Sequence, residues 1–240
     1  MFCARRREWY KSWRLRLVLF DIDGTLIADG GAAREAYAHA LEAVYGLRAE
    51  LRRYDFSGRT DPQITHMVLG DAGLSTEEID AAMPRLWEHY LAALARFAPG
   101  RVRELPGVRA LLEMLAADER VVLGLLTGNI EPGARIKLGG AALNEFFPFG
   151  AFGSDSARRE ELPPIAVERA SRLTGHHFRG RDVVIVGDSI YDVRCGVPHS
   201  ATTIAIASGK TAAATLLAEN PDHFFPSAEE LEALLAAIIG

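Results

Sequence analysis

The sequence predicts an α/β fold: a doubly wound parallel sheet of the Rossmann type, interrupted early by an all-helical insert. Three observations carry that expectation. Short, unbroken apolar runs alternate with segments of helical period, the pattern of strands buried between two layers of helices. Three of those runs stop abruptly at polar residues: one at Asp21-Ile22-Asp23-Gly24-Thr25, one at Thr127-Gly128-Asn129, and one at Gly187-Asp188-Ser189-Ile190-Tyr191-Asp192. About a hundred residues separate the first run from the second, where a parallel crossover needs only one helix.

Taken in order, the first strand is expected over Leu15 to Asp21. Residues i and i+2 of a strand share a face, but Gly24 lets the chain turn past the strand end. Asp21 and Asp23 can then take different places around one point. The insert follows. Ala32 to Tyr45 has apolar positions at helical spacing, with Gly46 as C-cap. Asp61-Pro62-Gln63-Ile64 reads as a second helix start, with Asp61 as N-cap and Pro62 at N1, running to about Leu69. Ser75 and Glu78 stand in capping-box spacing ahead of a third helix that reaches Phe97, with Pro84 as the point where it would break. Pro99-Gly100 closes the insert, and Asp29-Gly30-Gly31 and Ala98-Pro99-Gly100 are the candidate hinges.

The main domain resumes at Leu105-Pro106-Gly107. Helices are expected over Val108 to Ala117, Ile130 to Leu138, Leu162 to Leu173, Lys210 to Ala218 and Ala228 to Ile239. Between them fall strands over Val121 to Leu126, Phe149 to Phe152, Val183 to Val186, Ala201 to Ala207 and an edge strand over His223 to Phe225. There is no internal repeat and no low-complexity segment.

The chain has 240 residues, 49% of them hydrophobic, enough for one large domain or a domain with a smaller partner. A net charge of -5 argues against a general nucleic-acid binder. Lysine occurs only at positions 11, 137 and 210, so a catalytic lysine has few places to be. Cys3 and Cys195 make neither a disulfide framework nor a thiolate metal site, which points to a reducing compartment. No apolar run is long enough to span a bilayer. Arg5-Arg6-Arg7, with Trp9, Tyr10 and Trp13, lacks the apolar stretch that a signal peptide needs. Residues 1–14 are therefore expected to form a disordered basic extension, and the protein to be cytoplasmic, with no membrane or nucleic-acid partner.

In a parallel sheet the marked strand ends meet at one edge, where open α/β sheets bind their ligands. Clustered carboxylates there would repel without a cation. Thr127, Gly128 and Asn129, followed by a helix N-terminus, fit a phosphate cradle. Asp-x-Asp-Gly-Thr at residues 21–25 resembles motif I of the haloacid dehalogenase (HAD) superfamily. Thr127 and the Asp188 to Asp192 stretch resemble motifs II and IV, in the family's order, and the resemblance covers nearly the whole chain from about Leu15. Gly58 to Ile64 and Leu125 to Asn129 look most like the phosphoglycolate-phosphatase-like branch, and the insert resembles its C1 helical cap.

The resemblance implies a HAD-like core over 15–29 and 99–240, a cap over 30–98, and Mg2+-dependent phosphoryl transfer through an aspartyl-phosphate. By it, Asp21 is the nucleophile and Asp23 the general acid, then base. Mg2+ would be held by Asp21, the backbone carbonyl of Asp23, and Asp188, with Asp192 joining through water or orienting the site. Gly24, Thr127, Gly128 and Asn129 would surround the phosphate. The family usually supplies a motif III lysine, but Ala157 to Pro164 contains none. Arg159 is the best substitute and Arg158 the second, although Arg is not equivalent to Lys. Lys137, on the helix after motif II, lies in the wrong place in the family's order. Arg59, in an insert loop just before Asp61, could grip an anionic substrate and set specificity. Each assignment has a plainer alternative: turn capping for the motif I acids, a helix start for Asp188 and Asp192, an N-cap for Thr127, a solvated charge run for Arg158-Arg159, and an exposed side chain for Arg59.

Family members differ at residues visible here. Asp23 argues against a dehalogenase, the absence of lysine from the insert against a phosphonate-cleaving enzyme, and Gly187 in place of Glu against a sugar-phosphate mutase of the β-phosphoglucomutase type. Only about thirty residues lie between motifs II and III, too few for a second cap. The expectation is a phosphatase acting on a small phosphorylated metabolite (phosphoglycolate-like, a sugar phosphate or a nucleotide), as a monomer or homodimer. The mutase and a non-catalytic phospho-metabolite binding module stand as alternatives.

Overall fold

The first strand, β1 (Arg16–Phe20), is an apolar run buried on both faces, as its composition requires. It belongs to a computed structural model that describes residues 15–240, so the expectation for residues 1–14 lies outside the described residues. The chain continues through β2 (Ile27–Ala28), α1 (Ala32–Tyr45), α2 (Asp61–Asp71), α3 (Thr76–Phe97), β3 (Arg103–Glu104), α4 (Val108–Ala117), β4 (Val121–Leu126) and α5 (Glu131–Gly140). It closes with β5 (Gly150–Ala151), α6 (Leu162–Thr174), β6 (Val183–Gly187), α7 (Ile190–Gly196), β7 (Thr202–Ile206), α8 (Ala213–Ala218), β8 (His223–Phe225) and α9 (Leu231–Ile239).

Six strands form one parallel sheet in the order β5-β4-β1-β6-β7-β8. The chain winds outward from β1 through β4 and β5, then returns to the other side through β6, β7 and β8. The direction reverses at β1, which makes its C-terminal end the topological switch point. The side chains of β1 divide between the two helix layers. Val18 and Phe20 pack with Leu112 of α4, Leu138 of α5 and Leu234 of α9. Leu17 and Leu19 pack with Leu162, Ala166 and Ala170 of α6. The register sets Phe20 opposite both Leu125 and Val186, so the ends of β1, β4 and β6 lie nearly level.

The insert comprises α1, α2 and α3, and its two connections to the sheet run side by side. Ile27 pairs with Glu104 and Ala28 with Arg103 in a short antiparallel ribbon, β2–β3. Beside it, Asp29 accepts from the Gly31 and Ala33 amides at 2.9 Å each, capping α1, and Arg101 donates to the Gly30 carbonyl at 3.0 Å. The insert is not a detached layer. Tyr37, Leu41, Leu69, Leu86, Tyr90 and Leu94 share one continuous apolar core with Ile130, Ala134 and Leu138 around α5.

Several elements differ from expectation. Thr60, not Asp61, is the N-cap of α2: its hydroxyl accepts from the Gln63 amide at 3.2 Å, and Gln63 accepts from the Thr60 amide at 3.1 Å. That is a reciprocal capping box, and it moves Asp61 to the first helical position. Helix α3 runs through Pro84 without a break. Its buried positions Ile79, Leu86, Tyr90 and Leu94 continue on both sides of the proline, and their packing outweighs the missing hydrogen bond. Strand β5 shrinks to two residues, and α8 and α9 start at Ala213 and Leu231, later than the apolar pattern suggested. Among the described residues no helix is long and apolar enough to cross a membrane.

Candidate active site

The switch point gathers the charged residues. Asp21 continues the β1 ladder by donating its amide to the Val186 carbonyl at 3.0 Å, and its side chain is buried at the sheet edge. The chain then folds back: the Leu26 and Ile27 amides both return to the Ile22 carbonyl, at 2.9 and 3.1 Å. Gly24 makes that turn with a φ of +87°, pressed against Asp188; a Cβ there would lie 2.7 Å from the Asp188 carboxyl carbon. A side chain is excluded on both counts. Thr25 donates to Asp188 at 3.4 Å from the same turn.

Asp188 follows β6 directly, and Ser189 caps α7. The Ser189 amide and hydroxyl donate to Asp192 Oδ2 at 3.0 and 2.6 Å. One carboxylate oxygen each from Asp21, Asp188 and Asp192 lie within 4.8 Å of one another, all three residues buried. Arg159 enters this cluster on a 3-10 turn just before α6. Its Nη2 donates to Asp21 Oδ1 at 3.0 Å, to the Leu126 carbonyl at 3.2 Å, and to Asp192 Oδ1. Arg158, by contrast, points outward and pairs with Glu161. Both oxygens of Asp192 are thus engaged, one by the α7 cap and one by Arg159.

Three carboxylates against one guanidinium leave two negative charges in a dry place. The electrostatics register this. Burial pushes the Asp21 carboxyl up to about 7 against the pull of Arg159, with the charges of Asp192 and Asp23 adding to the rise. Burial and then Asp21, Asp192 and Asp23 push Asp188 well above the usual carboxylate range. A hard divalent cation prefers carboxylate oxygens and would relieve this crowding, so the donor set fits one.

Asp23 lies on the other side of the turn, half-exposed to a cavity of about 440 Å³. Lys137, outside the motif III stretch, stands at this second acid: its ammonium is buried, 2.7 Å from Asp23 Oδ2 and 2.6 Å from Asn129 Oδ1. Asn129 Nδ2 reaches the same Asp23 oxygen at 2.8 Å and Thr127 Oγ1 at 2.8 Å. Burial disfavours the Lys137 ammonium, but the charges around it, Asp23 foremost, hold its pKa above the ordinary lysine value. One signal was readable: Lys137 shares an i, i+3, i+4 stripe with Ala134 and Leu138, so a lysine sits on the buried face of an amphipathic helix. Asp61 also escaped notice. It lies partly buried nearby, accepting from the Ile130 amide at 2.8 Å, and desolvation pushes it up to about 6 against Lys137.

The insert loop before α2 is seated on the motif II loop. The Asp61 amide donates to the Gly128 carbonyl at 2.8 Å, and the Thr60 hydroxyl to the Ala157 carbonyl at 2.7 Å. A Cβ on Gly128 would come within 2.8 Å of the Arg59 backbone carbon, so only glycine allows this approach. Arg159 Nη1 donates to the Gly58 carbonyl at 3.3 Å. Arg59 lines the cavity; its Nε donates to the Asp55 carbonyl at 3.2 Å, and its guanidinium sits 5.7 Å from the centre of the Tyr191 ring. Tyr37, Phe56, Ile64 and Tyr90 form the apolar wall, and Gly209 and Lys210 the rim. Asp21, Asp23, Gly24, Thr127, Gly128, Asn129, Arg159 and Asp188 therefore face one cavity, with Asp192 directly behind Arg159.

Two carboxylates just past β1 and a third just past β6 thus stand at the switch point of a parallel sheet. The haloacid dehalogenase-like hydrolase family matches residues 18–196, and a related HAD-hydrolase-like family matches residues 162–231. The chain belongs to the haloacid dehalogenase-like hydrolase family. No protein of curated function matches the sequence. Among solved structures it is similar to a predicted phosphoglycolate phosphatase from Haemophilus somnus 129pt, at 17% identity and a TM-score of 0.69, covering 93% of this chain and 99% of that one. A predicted phosphatase from Clostridium acetobutylicum gives 18% and 0.72, covering 92% and 98%. A β-phosphoglucomutase candidate from Thermotoga maritima gives 19% and 0.61, covering 93% and 100%. At such identities the likeness is one of fold.

Proposed function

We propose that this protein is a Mg2+-dependent phosphatase that hydrolyses a small phosphorylated metabolite through an aspartyl-phosphate on Asp21. The observation that carries the reading is the division of labour at one strand end. Asp21 is buried against a guanidinium, while Asp23, two residues on, is half-exposed to the cavity and held by a different cation. Two carboxylates in two environments suit two roles.

In the first step an Asp21 oxygen attacks phosphorus. The ester P–O bond breaks toward the leaving oxygen, which takes a proton from Asp23. In the second, water attacks the acyl phosphate as Asp23 takes its proton, and the bond from phosphorus to the Asp21 oxygen breaks. Arg159 neutralises charge beside Asp21, anchored from behind by Asp192. Since both Asp192 oxygens are already engaged, we assign it to orienting Arg159 rather than to direct ligation. Asp21, the Asp23 carbonyl and Asp188 would hold Mg2+, which neutralises phosphoryl oxygens when bound. Thr127, Gly128, Asn129 and Gly24 surround the phosphate.

Residues 30–98 act as a cap in this reading, with Asp29-Gly30-Gly31 and Ala98-Pro99-Gly100, next to the β2–β3 ribbon, as hinges. Its closure excludes water from the reacting groups. A cavity of about 440 Å³ walled by the cap suits a metabolite rather than a protein substrate. The test is hydrolysis of p-nitrophenyl phosphate with and without Mg2+, followed by a panel of phosphorylated metabolites. Folded protein without Mg2+-dependent turnover would make the chain a binding module; phosphate passed to a sugar phosphate instead of water would make it a mutase.

A further inference from the structure

The cation that holds Asp23 has been given no role in the proton transfers above. Lys137 is 3% exposed, and an ammonium is tolerated there only when paired. It projects from α5 where that helix meets Tyr90 of the insert. Its partner is specific at the level of single atoms. Lys137 Nζ and Asn129 Nδ2 both donate to Asp23 Oδ2, at 2.7 and 2.8 Å, while Asn129 Oδ1 accepts from Lys137 at 2.6 Å. The three side chains close a triangle on one carboxylate oxygen. Asp23 Oδ1 accepts from no side chain among the described residues, and Asp23 lines the cavity.

A free carboxylic acid can carry its proton on either oxygen. At Asp23 the two are not equivalent. A proton on Oδ2 would confront an ammonium and an amide N–H, both donors, and would find no acceptor. We propose that Lys137 is a positioning residue that, together with Asn129, commits Oδ2 of Asp23 to the protein and reserves Oδ1 for proton transfer with the substrate. This rests on the phosphatase reading. Asp23 then gives its proton from Oδ1 to the leaving oxygen as the ester bond breaks, and regains one at Oδ1 from the attacking water. Neither transfer requires the carboxyl to rotate, and the proton never occupies the oxygen that faces away from the substrate. General acid–base catalysis depends on such placement within hydrogen-bond reach.

Leaving-group dependence separates this role from a structural one. Nitrophenolate departs with little need of a proton, whereas an alkoxide needs one. With Mg2+ present, kcat/KM of Lys137→Met is compared with that of the unsubstituted protein on p-nitrophenyl phosphate, phenyl phosphate and an alkyl phosphate. The expected loss is under about 5-fold for the nitrophenyl ester and on the order of 100-fold for the alkyl ester. Equal losses across the series, or none, overturn the assignment, because a lysine that only supports the fold affects every ester alike. Removing one buried charge leaves Asp23 and Asp61 facing each other, so K137M/D61N, which removes one charge of each sign, goes through the same series with its melting midpoint recorded. If the single variant does not fold, the double variant decides, by the same criterion. Absence of Mg2+-dependent turnover in the unsubstituted protein would overturn the phosphatase reading and this assignment with it, an outcome distinct because it appears before any substitution is made.

Discussion

Two buried cations flank the strand end that carries Asp21 and Asp23, and they are assembled from different parts of the chain. Arg159 is held by Asp21, Asp192 and the Leu126 carbonyl, which belong to the ends of β1 and β4 and to α7. Only the Gly58 carbonyl reaches it from the insert. Lys137 sits between Asp23 and Asn129 at the sheet edge and, behind them, Asp61 and Tyr90, both insert residues. The difference teaches where rigidity comes from. The Arg159 side is built by the sheet and would keep its geometry if the insert shifted. The Lys137 side is complete only with the insert seated, because insert residues bury Lys137, and a charge–charge contact gains strength as water is excluded.

The largest effect should come from the Arg159 side, where the proposed nucleophile Asp21 stands. Asp21→Asn is expected to lower kcat by at least about 10³-fold, or about 4 kcal/mol of barrier. Arg159 keeps Asp192 in this variant, so the melting midpoint should hold; steady turnover from a folded variant would move the nucleophile elsewhere. Next in size is Arg159→Lys. A single ammonium on a different stem cannot hold the Asp21–Asp192 contacts of Nη2 and also the Nη1 contact to the Gly58 carbonyl, so kcat/KM should fall about 100-fold, near 3 kcal/mol. Arg158→Ala removes an exposed pair with Glu161 and should change it less than about 2-fold. The opposite ranking would reassign the motif III cation.

The same comparison explains what the sequence made legible. The Arg159 side was readable because its acidic cluster starts at strand ends: Leu17-Val18-Leu19-Phe20 runs straight into Asp21, and Val183-Val184-Ile185-Val186-Gly187 into Asp188, with Asp192 one helical turn further on. Parallel strands deliver their ends to one edge whatever else the chain does. Arg159 followed by elimination in a stretch without lysine, and the 3-10 turn settled which of two adjacent arginines points inward. The Lys137 side was not readable by motif. The direction in which α5 turns its face depends on α3 packing across it, a contact between residues more than forty positions apart. The same long-range seating hid Asp61. The sequence places Asp61 as an N-cap for its own helix; Thr60 fills that role, and Asp61 instead accepts from the Ile130 amide at the start of α5. Thr60 and Gln63 stand in capping-box spacing, the local signal that could have found this.

Asp61 offers the third prediction, a test of how firmly the insert is seated. Its carboxyl is pushed from 3.8 up to about 6 in the folded protein. A carboxyl raised in this way contributes stability that is full below the unfolded value and lost as pH rises through the folded one. Above pH 6 the protein holds an ionised, partly buried carboxylate, at a cost of about 3 kcal/mol, of which about 2 kcal/mol sets in between pH 4.5 and pH 7.5. Asp61→Asn keeps an acceptor for the Ile130 amide and cannot ionise. Urea unfolding should therefore show the variant gaining on the unsubstituted protein by about 2 kcal/mol between pH 4.5 and pH 7.5. A stability difference that is the same at both pH values would mean that Asp61 does not titrate in this window.

The smallest effect is expected at Arg59, where the insert faces the cavity without contributing to either cation pair. Its Nε is used by the Asp55 carbonyl and its backbone is fixed against Gly128, but it forms no ion pair among the described residues. The guanidinium therefore has donors left for a ligand in the cavity it lines. A charge-assisted hydrogen bond to a substrate anion contributes about 1.5 kcal/mol, so Arg59→Ala should raise KM about 10-fold for metabolites carrying a second anionic group. For p-nitrophenyl phosphate, which has none, the change should stay below about 2-fold, and kcat should hold for both. Because Arg59 touches neither Asp21 nor Asp23, a fall in kcat would show that this loop transmits its position to the catalytic carboxylates through Gly58 and Arg159. Equal KM effects on both substrates would place the Arg59 contact on the transferring phosphate itself rather than on the far end of the substrate.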